Sequence, residues 1–147
     1  YRYGDKSIRG RSASTGNRFE PGKKPMSTMA PTMIFNKDGE LTLITGSPGG
    51  SLIPAAILRV VTGVIDFELD IGQATMLPRV HKDWPTTGIL YERTLNADSI
   101  RGIRNIGHKM TPEHTMGSTQ SIHIIDGVNY GYADLRRPNA SVSTQAN

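Results

Sequence analysis

At 147 residues and 36% hydrophobic content, the chain suits one domain or a large part of one, and it is too apolar for a disordered chain. Lys and Arg number 17 against 13 acidic residues, a net charge of +4. The excess sits largely at the ends (Arg2, Lys6, Arg9, Arg11, Arg18, Lys23, Lys24, Arg136, Arg137), without an aromatic-rich basic stripe or a reader motif, so no nucleic-acid partner is expected.

In chain order, residues 1–25 are rich in Gly, Ser, Arg and Lys without helical or alternating pattern and read as an exposed loop. The opening Tyr1, with neither initiator Met nor signal-like segment, leads us to expect a piece of something longer. Order is expected from Met26. Thr32–Phe35 and Glu40–Thr45 form a predicted hairpin around Asp38-Gly39, and their apolar character predicts burial on both faces. The stretch Thr45-Gly46-Ser47-Pro48-Gly49-Gly50-Ser51 then leads into Ile53, Ala56, Ile57, Val60, Val61 and Val64, which recur at helical spacing. A helix is predicted from about Leu52 to Asp66, capped by Ser51, with Pro54 in its first turn. Pro54, Arg59, Thr62 and Asp66 interrupt this stretch well short of the ~20 apolar residues of a membrane span.

A second helix is predicted over Ile71–Leu77, behind Asp70 as cap and stopped by Pro78, followed by a short strand at Ile89–Glu92. Ile100, Ile103 and Ile106 mark one face of a third helix ended by Gly107. Ser121–Ile125 and Val128–Tyr132 flank Asp126-Gly127 as a second hairpin, and residues 137–147 read as a polar tail. Hairpin, helices, hairpin predicts an α+β fold in which helices cover a largely antiparallel sheet.

The glycine-rich turn raises two chemistries, a phosphate cradle or a pocket for an oxygen that becomes negative during reaction. Its glycines are too close for the Walker spacing, no Lys follows, and the dinucleotide G-x-G-x-x-G spacing fails as well. The lack of cysteine excludes disulfides, Cys-ligated zinc and thiol nucleophiles. His81, His108, His114 and His123 are scattered, without metal-ligand spacing; they read as surface or structural histidines, with His81 and Asp83 able to share one side of an extended segment. No metal or cofactor is implied. No nucleophile elbow is present, and Ser27 and Thr28 are either turn caps or hydroxyl donors to a bound carboxylate.

Four blocks carry a resemblance. Gly22-Lys23-Lys24-Pro25-Met26-Ser27-Thr28-Met29-Ala30-Pro31-Thr32, the Thr45–Ser51 turn, the run from Ala74 through Pro78-Arg79-Val80-His81, and Met116-Gly117-Ser118-Thr119-Gln120-Ser121-Ile122 together resemble the γ-glutamyltranspeptidase family, in its order and spacing. The resemblance implies a four-layer αββα N-terminal nucleophile hydrolase sandwich shared by a large and a small subunit. Residues 26–136 would be the C-terminal part of the small subunit. It further implies a self-cleaving precursor, a small-molecule γ-glutamyl substrate such as glutathione, and work in the periplasm or outside the cell.

By that pattern Gly49 and Gly50 would form the oxyanion hole through their N–H groups, and Ser27 and Thr28 would bind the substrate's α-carboxylate. The nucleophilic Thr lies outside this chain, so residues 1–147 alone are expected to be inactive, needing the large subunit and the rest of the small one as partners. The chain departs from the family at Thr28 (usually Ser), Leu52 (commonly Arg), Val80 (an aromatic) and Leu135 (usually Pro), as a divergent member would. The alternatives are a cephalosporin-acylase-like amidohydrolase and a noncatalytic scaffold of the same fold.

Overall fold

The structure, a computed structural model, describes residues 20–24, 27–83 and 88–143. Most of the expected N-terminal loop and the last residues of the expected tail lie outside these. The elements run β1 (Thr32–Phe35), β2 (Leu41–Gly46), a 3₁₀ turn (Gly50–Leu52), α1 (Ile53–Ile65), α2 (Ile71–Met76), β3 (Val80–His81), β4 (Gly88–Glu92), α3 (Ala97–Asn105), β5 (Lys109–Glu113), β6 (Gln120–Ile125) and β7 (Val128–Ala133).

The two predicted hairpins join into one antiparallel sheet of order β1-β2-β6-β7, with Leu43 opposite Ile34 on one side and His123 on the other. One face of this sheet receives the helices. Leu43, Val60, Val64, Ile71 and Ala74 form the core, with Ile34, Val61, Leu69 and Tyr132 packed around it. α1 and α2 meet at Gly63, where an added Cβ would lie 2.9 Å from Ala74 Cβ, closer than real methyl contacts. α1 ends where Phe67 N–H donates to the Thr62 carbonyl and Glu68 turns to φ 52°, and a capping box then starts α2, with Asp70 accepting from Gln73 N–H and Gln73 accepting from Asp70 N–H.

The opposite face of this sheet is not buried, against the expectation from its apolar strands. Met33, Ile44 and Ile122 lie side by side across it, and Met33 and Ile122 are 63% and 41% exposed. The strands are apolar on both sides, but no second layer within the described residues covers that face.

A second sheet of order β3-β4-β5 differs from the expected arrangement, because β4 and β5 run parallel. Their connection is α3, which begins earlier than its isoleucines suggest, with Asn96 Oδ1 accepting from Ser99 N–H at 2.7 Å, and ends with Gly107 at φ 94°. Ile106 falls past the helix end and is exposed rather than on its packed face.

Candidate active site

The site is built on the turn between β2 and α1. Within one trans peptide the C=O and N–H point in opposite directions, so whatever grips a carbonyl also aims the next residue's N–H. Ser47 Oγ donates to the Pro48 carbonyl at 2.8 Å, which turns the Gly49 N–H away from that contact. Leu52 N–H donates to the Gly49 carbonyl at 3.1 Å and orients the Gly50 N–H in the same manner. Among the described residues, neither glycine N–H meets an acceptor. Both therefore face outward at the start of α1, whose first turn carries no acidic residue and whose dipole favours negative charge there.

Glycine is required here by conformation more than by crowding. Gly49 sits at φ 145° and Gly50 at φ 59°, yet an added Cβ would meet only ordinary contacts at Gly49 and none at Gly50. The tight approach is elsewhere, at Gly117. There φ is 75° and a Cβ would fall 2.6 Å from Ser47 Oγ and 3.1 Å from the Pro48 carbonyl oxygen. Ser118 N–H donates to Ser47 Oγ at 3.1 Å, so the segment after β5 backs the turn directly. The sequence signal for this role was present only as the Met116–Ile122 block, without a reason for its glycine.

Ser51 does not cap α1, contrary to expectation. The cap position is Leu52, without a side-chain bond, and the Ser51 hydroxyl instead reaches Asp83 Oδ2 at 3.5 Å. Asp83 Oδ1 in turn pairs with His81 Nε2 at 2.9 Å, so the pair lies on one side of its segment as expected. Leu52 is buried, and a Cβ added at Gly49 would lie 3.5 Å from its Cβ, so an apolar side chain there packs beneath the turn. Val80 and Leu135 are exposed.

Ser27 and Thr28 lie beside this turn, on an exposed segment. Thr28 Oγ1 donates to the Gly50 carbonyl at 2.8 Å, and Ser27 Oγ accepts from Met29 N–H at 3.1 Å. The structure thus brings three of the expected residues into one hydrogen-bonded unit, Thr28, Gly49 and Gly50, with Ser27 adjacent. The remaining histidines, His108, His114 and His123, are not part of it, and among the described residues no cluster of three or more His, Cys, Asp or Glu side chains stands ready for a metal.

Behind the site lies a group of charges that sequence spacing did not reveal. Arg79 and Asp134, 1% and 0% exposed, pair at 2.8 Å. Arg136 grips Glu92 with two parallel bonds of 2.7 Å, from Nε to Oε1 and from Nη2 to Oε2, and also contacts Asp134 Oδ1 at 3.2 Å. The four charges cancel. They also satisfy backbone ends: Arg79 Nη1 donates to the Met116 carbonyl, Met116 N–H donates to Glu92 Oε1, Thr119 N–H donates to Asp134 Oδ2, and Arg136 donates to the Thr75 and Leu77 carbonyls ending α2. Arg79 Nε is left without a partner among the described residues. Burial alone pushes the Asp134 carboxyl up, but hydrogen bonds from Arg79 and from the Arg136 and Thr119 N–H groups hold it below the usual carboxylate range. Burial, then the like charge of Arg136, draws Arg79 below its ordinary value; burial works the same way on Arg136, but Glu92 and Asp134 outweigh it and raise that group.

The fold that carries this turn is that of the N-terminal nucleophile hydrolases. A γ-glutamyltranspeptidase from Helicobacter pylori superposes with a TM-score of 0.82 at 30% identity, over 93% of this chain and 76% of that one. A cephalosporin acylase from Bacillus halodurans shares the fold at 23% identity, with a TM-score of 0.81 over 97% of this chain and 26% of that one. The Gamma-glutamyltranspeptidase family model matches residues 3–144, and the chain belongs to that family. It is 37% identical over 131 residues to the glutathione hydrolase proenzyme of Escherichia coli K12, covering 88% of this chain, and 32% identical over 129 residues to that of Bacillus subtilis 168, covering 86%. The chain spans 22% of the length of each of these two relatives.

Proposed function

We propose that this chain is the C-terminal part of the small subunit of a γ-glutamyl hydrolase and transferase acting on glutathione and related γ-glutamyl amides. The observation that carries the reading is the Gly49-Gly50 turn, with two aimed N–H groups at a helix start and the Ser27-Thr28 segment bonded to it. In this reading Gly49 and Gly50 are the oxyanion hole and Ser27 and Thr28 form part of the carboxylate site.

The reaction runs in two acyl transfers. The hydroxyl of an N-terminal Thr, outside residues 1–147, adds to the γ-carbonyl while its own amine takes the proton. The carbonyl oxygen becomes negative between the two glycine N–H groups, which are already oriented and need no rearrangement as charge develops. Collapse expels the amine with that proton and leaves a γ-glutamyl ester. Water or an amino-acid amine then repeats the addition and releases the product. The α-carboxylate held at Ser27 sets which carbonyl reaches the glycines.

The uncovered apolar face around Met33 and Ile122 supports a partner layer supplied by the large subunit and the rest of the small subunit. We place the enzyme in the periplasm or outside the cell, as the family resemblance implies; no helix among the described residues is long and apolar enough to cross a membrane. Expression of the full-length precursor followed by an assay of γ-glutamyl anilide cleavage tests the function. Turnover by the precursor's processed product, and none by residues 1–147 alone, is expected. Cleavage of an acylase substrate with no γ-glutamyl turnover would overturn the reading, as would turnover by residues 1–147 alone.

A further inference from the structure

A charged side chain on a helix surface ordinarily finds its opposite three or four residues away, one turn along the same face. α1 and its C-cap carry two charges, Arg59 and Asp66, set seven residues and about 10 Å of helix rise apart. No ion pair joins them, and among the described residues neither side chain has another partner; Arg59 Nε is buried without an acceptor. Beside them runs an apolar stripe that the core does not use. Leu58 is 61% exposed and Ile65 50%, with Phe67 at 63% just past the helix end. Seven residues fall only about 20° short of two full turns, so Leu58 and Ile65 share one face, and Arg59 and Asp66 share its flank.

A surface spaced in this way is its own complement. When two identical helices pack antiparallel about a twofold axis, a residue before the axis on one meets a residue equally far beyond it on the other. With the axis beside Thr62, Leu58 of each copy faces Ile65 of the other, and on the flank each Arg59 faces the other's Asp66. We propose that the outer face of α1 is a self-association surface on which a second copy of this chain docks antiparallel. The charges select that occupant. A different partner would have to bring an acid and a base at the matching spacing, whereas a second copy brings both, each one unpaired in the single chain. One helix of 13 residues offers less area than a standard interface, so the association is weak, in the range of micromolar concentrations. It is independent of which amide the enzyme cleaves.

The test is sedimentation of the full-length processed enzyme, whose mass should double as its concentration rises through the micromolar range. Arg59→Asp and Asp66→Arg should each weaken this association by about tenfold, because the twofold sets like charges together twice. Combined in one chain, the two changes restore opposite charges across the axis, and association should return to within about threefold of wild type. Leu58→Glu, at a position exposed in the single copy, should remove it. Because these 147 residues contain no cysteine, Thr62→Cys places one thiol at the axis, and a short bismaleimide should join two such chains to each other. An undoubled mass at every concentration up to about 100 µM overturns the proposal. So does a double variant as weak as the single ones. Crosslinking of Thr62→Cys to another segment of the same precursor would overturn it too, and would assign the stripe to that segment instead.

Discussion

The oxyanion turn and the charge group behind it are held by opposite means. The turn is half-exposed, built of glycines at positive φ, and kept in place by bonds from Ser47, Leu52, Ile53 and Thr28. Arg79, Glu92, Asp134 and Arg136 are buried, mutually neutralised and multiply bonded, and they tie α2, β4, the segment before β6 and the end of β7 to one another. Met116 to Ser118 belongs to both regions, since it bonds the charge group at one end and backs the turn at the other. Rigidity is concentrated in the charges, and the turn borrows it through one short segment.

If that division is right, substitutions in the two regions fail in different currencies of measurement. The largest effect is expected from Asp134→Ala, which strands Arg79 as a buried unpaired charge and should cost about 3–5 kcal/mol of stability, read as a shift of the denaturant midpoint. Gly49→Ala forces a Cβ into a φ that L-residues rarely adopt and should lower kcat by about a hundredfold or more in the full-length enzyme while leaving the denaturant midpoint much less altered. A large stability loss here would break the comparison.

A smaller signature is pH-dependent. Because the folded Asp134 carboxyl lies below its ordinary value, its contribution is present above the unfolded value of about 4 and disappears as pH falls through the folded one. Stability of the wild type should therefore fall in acid more steeply than that of Asp134→Asn, measured by unfolding at a series of pH values. The smallest effect is expected from Ser47→Ala, which frees the Pro48 carbonyl and the Ser118 N–H at a partly exposed site; about 1 kcal/mol, or roughly fivefold in kcat, follows from such a loss.

What could be read from the sequence was what is local. Helical spacing from Ile53 to Val64, the Asp-Gly turns, the Asp70 cap and the glycine turn each declare themselves within a few residues. β5 did not, because Lys109-Met110-Thr111-Pro112-Glu113 is an exposed edge strand with no alternation, where even Pro112 is tolerated. The charge group was hidden for a different reason. Its members approach only through folding, Arg136 reaching back 44 residues to Glu92 and 61 to the Thr75 carbonyl, and no spacing rule links them. Of the candidate site, the residues themselves were legible in the family blocks, but the bond from Thr28 to Gly50 was not.

The uncovered strand face has a consequence for the order of events in the cell. Among the described residues β1 is an edge strand whose free side meets no other strand, with Met33 and Phe35 turned to solvent. Such an edge invites pairing with any other extended chain, including another copy of itself. Whatever layer finally covers that face therefore competes against self-association from the moment the strand forms, and a covering segment joined to the same polypeptide holds the advantage as long as the protein is more dilute than that segment's effective concentration.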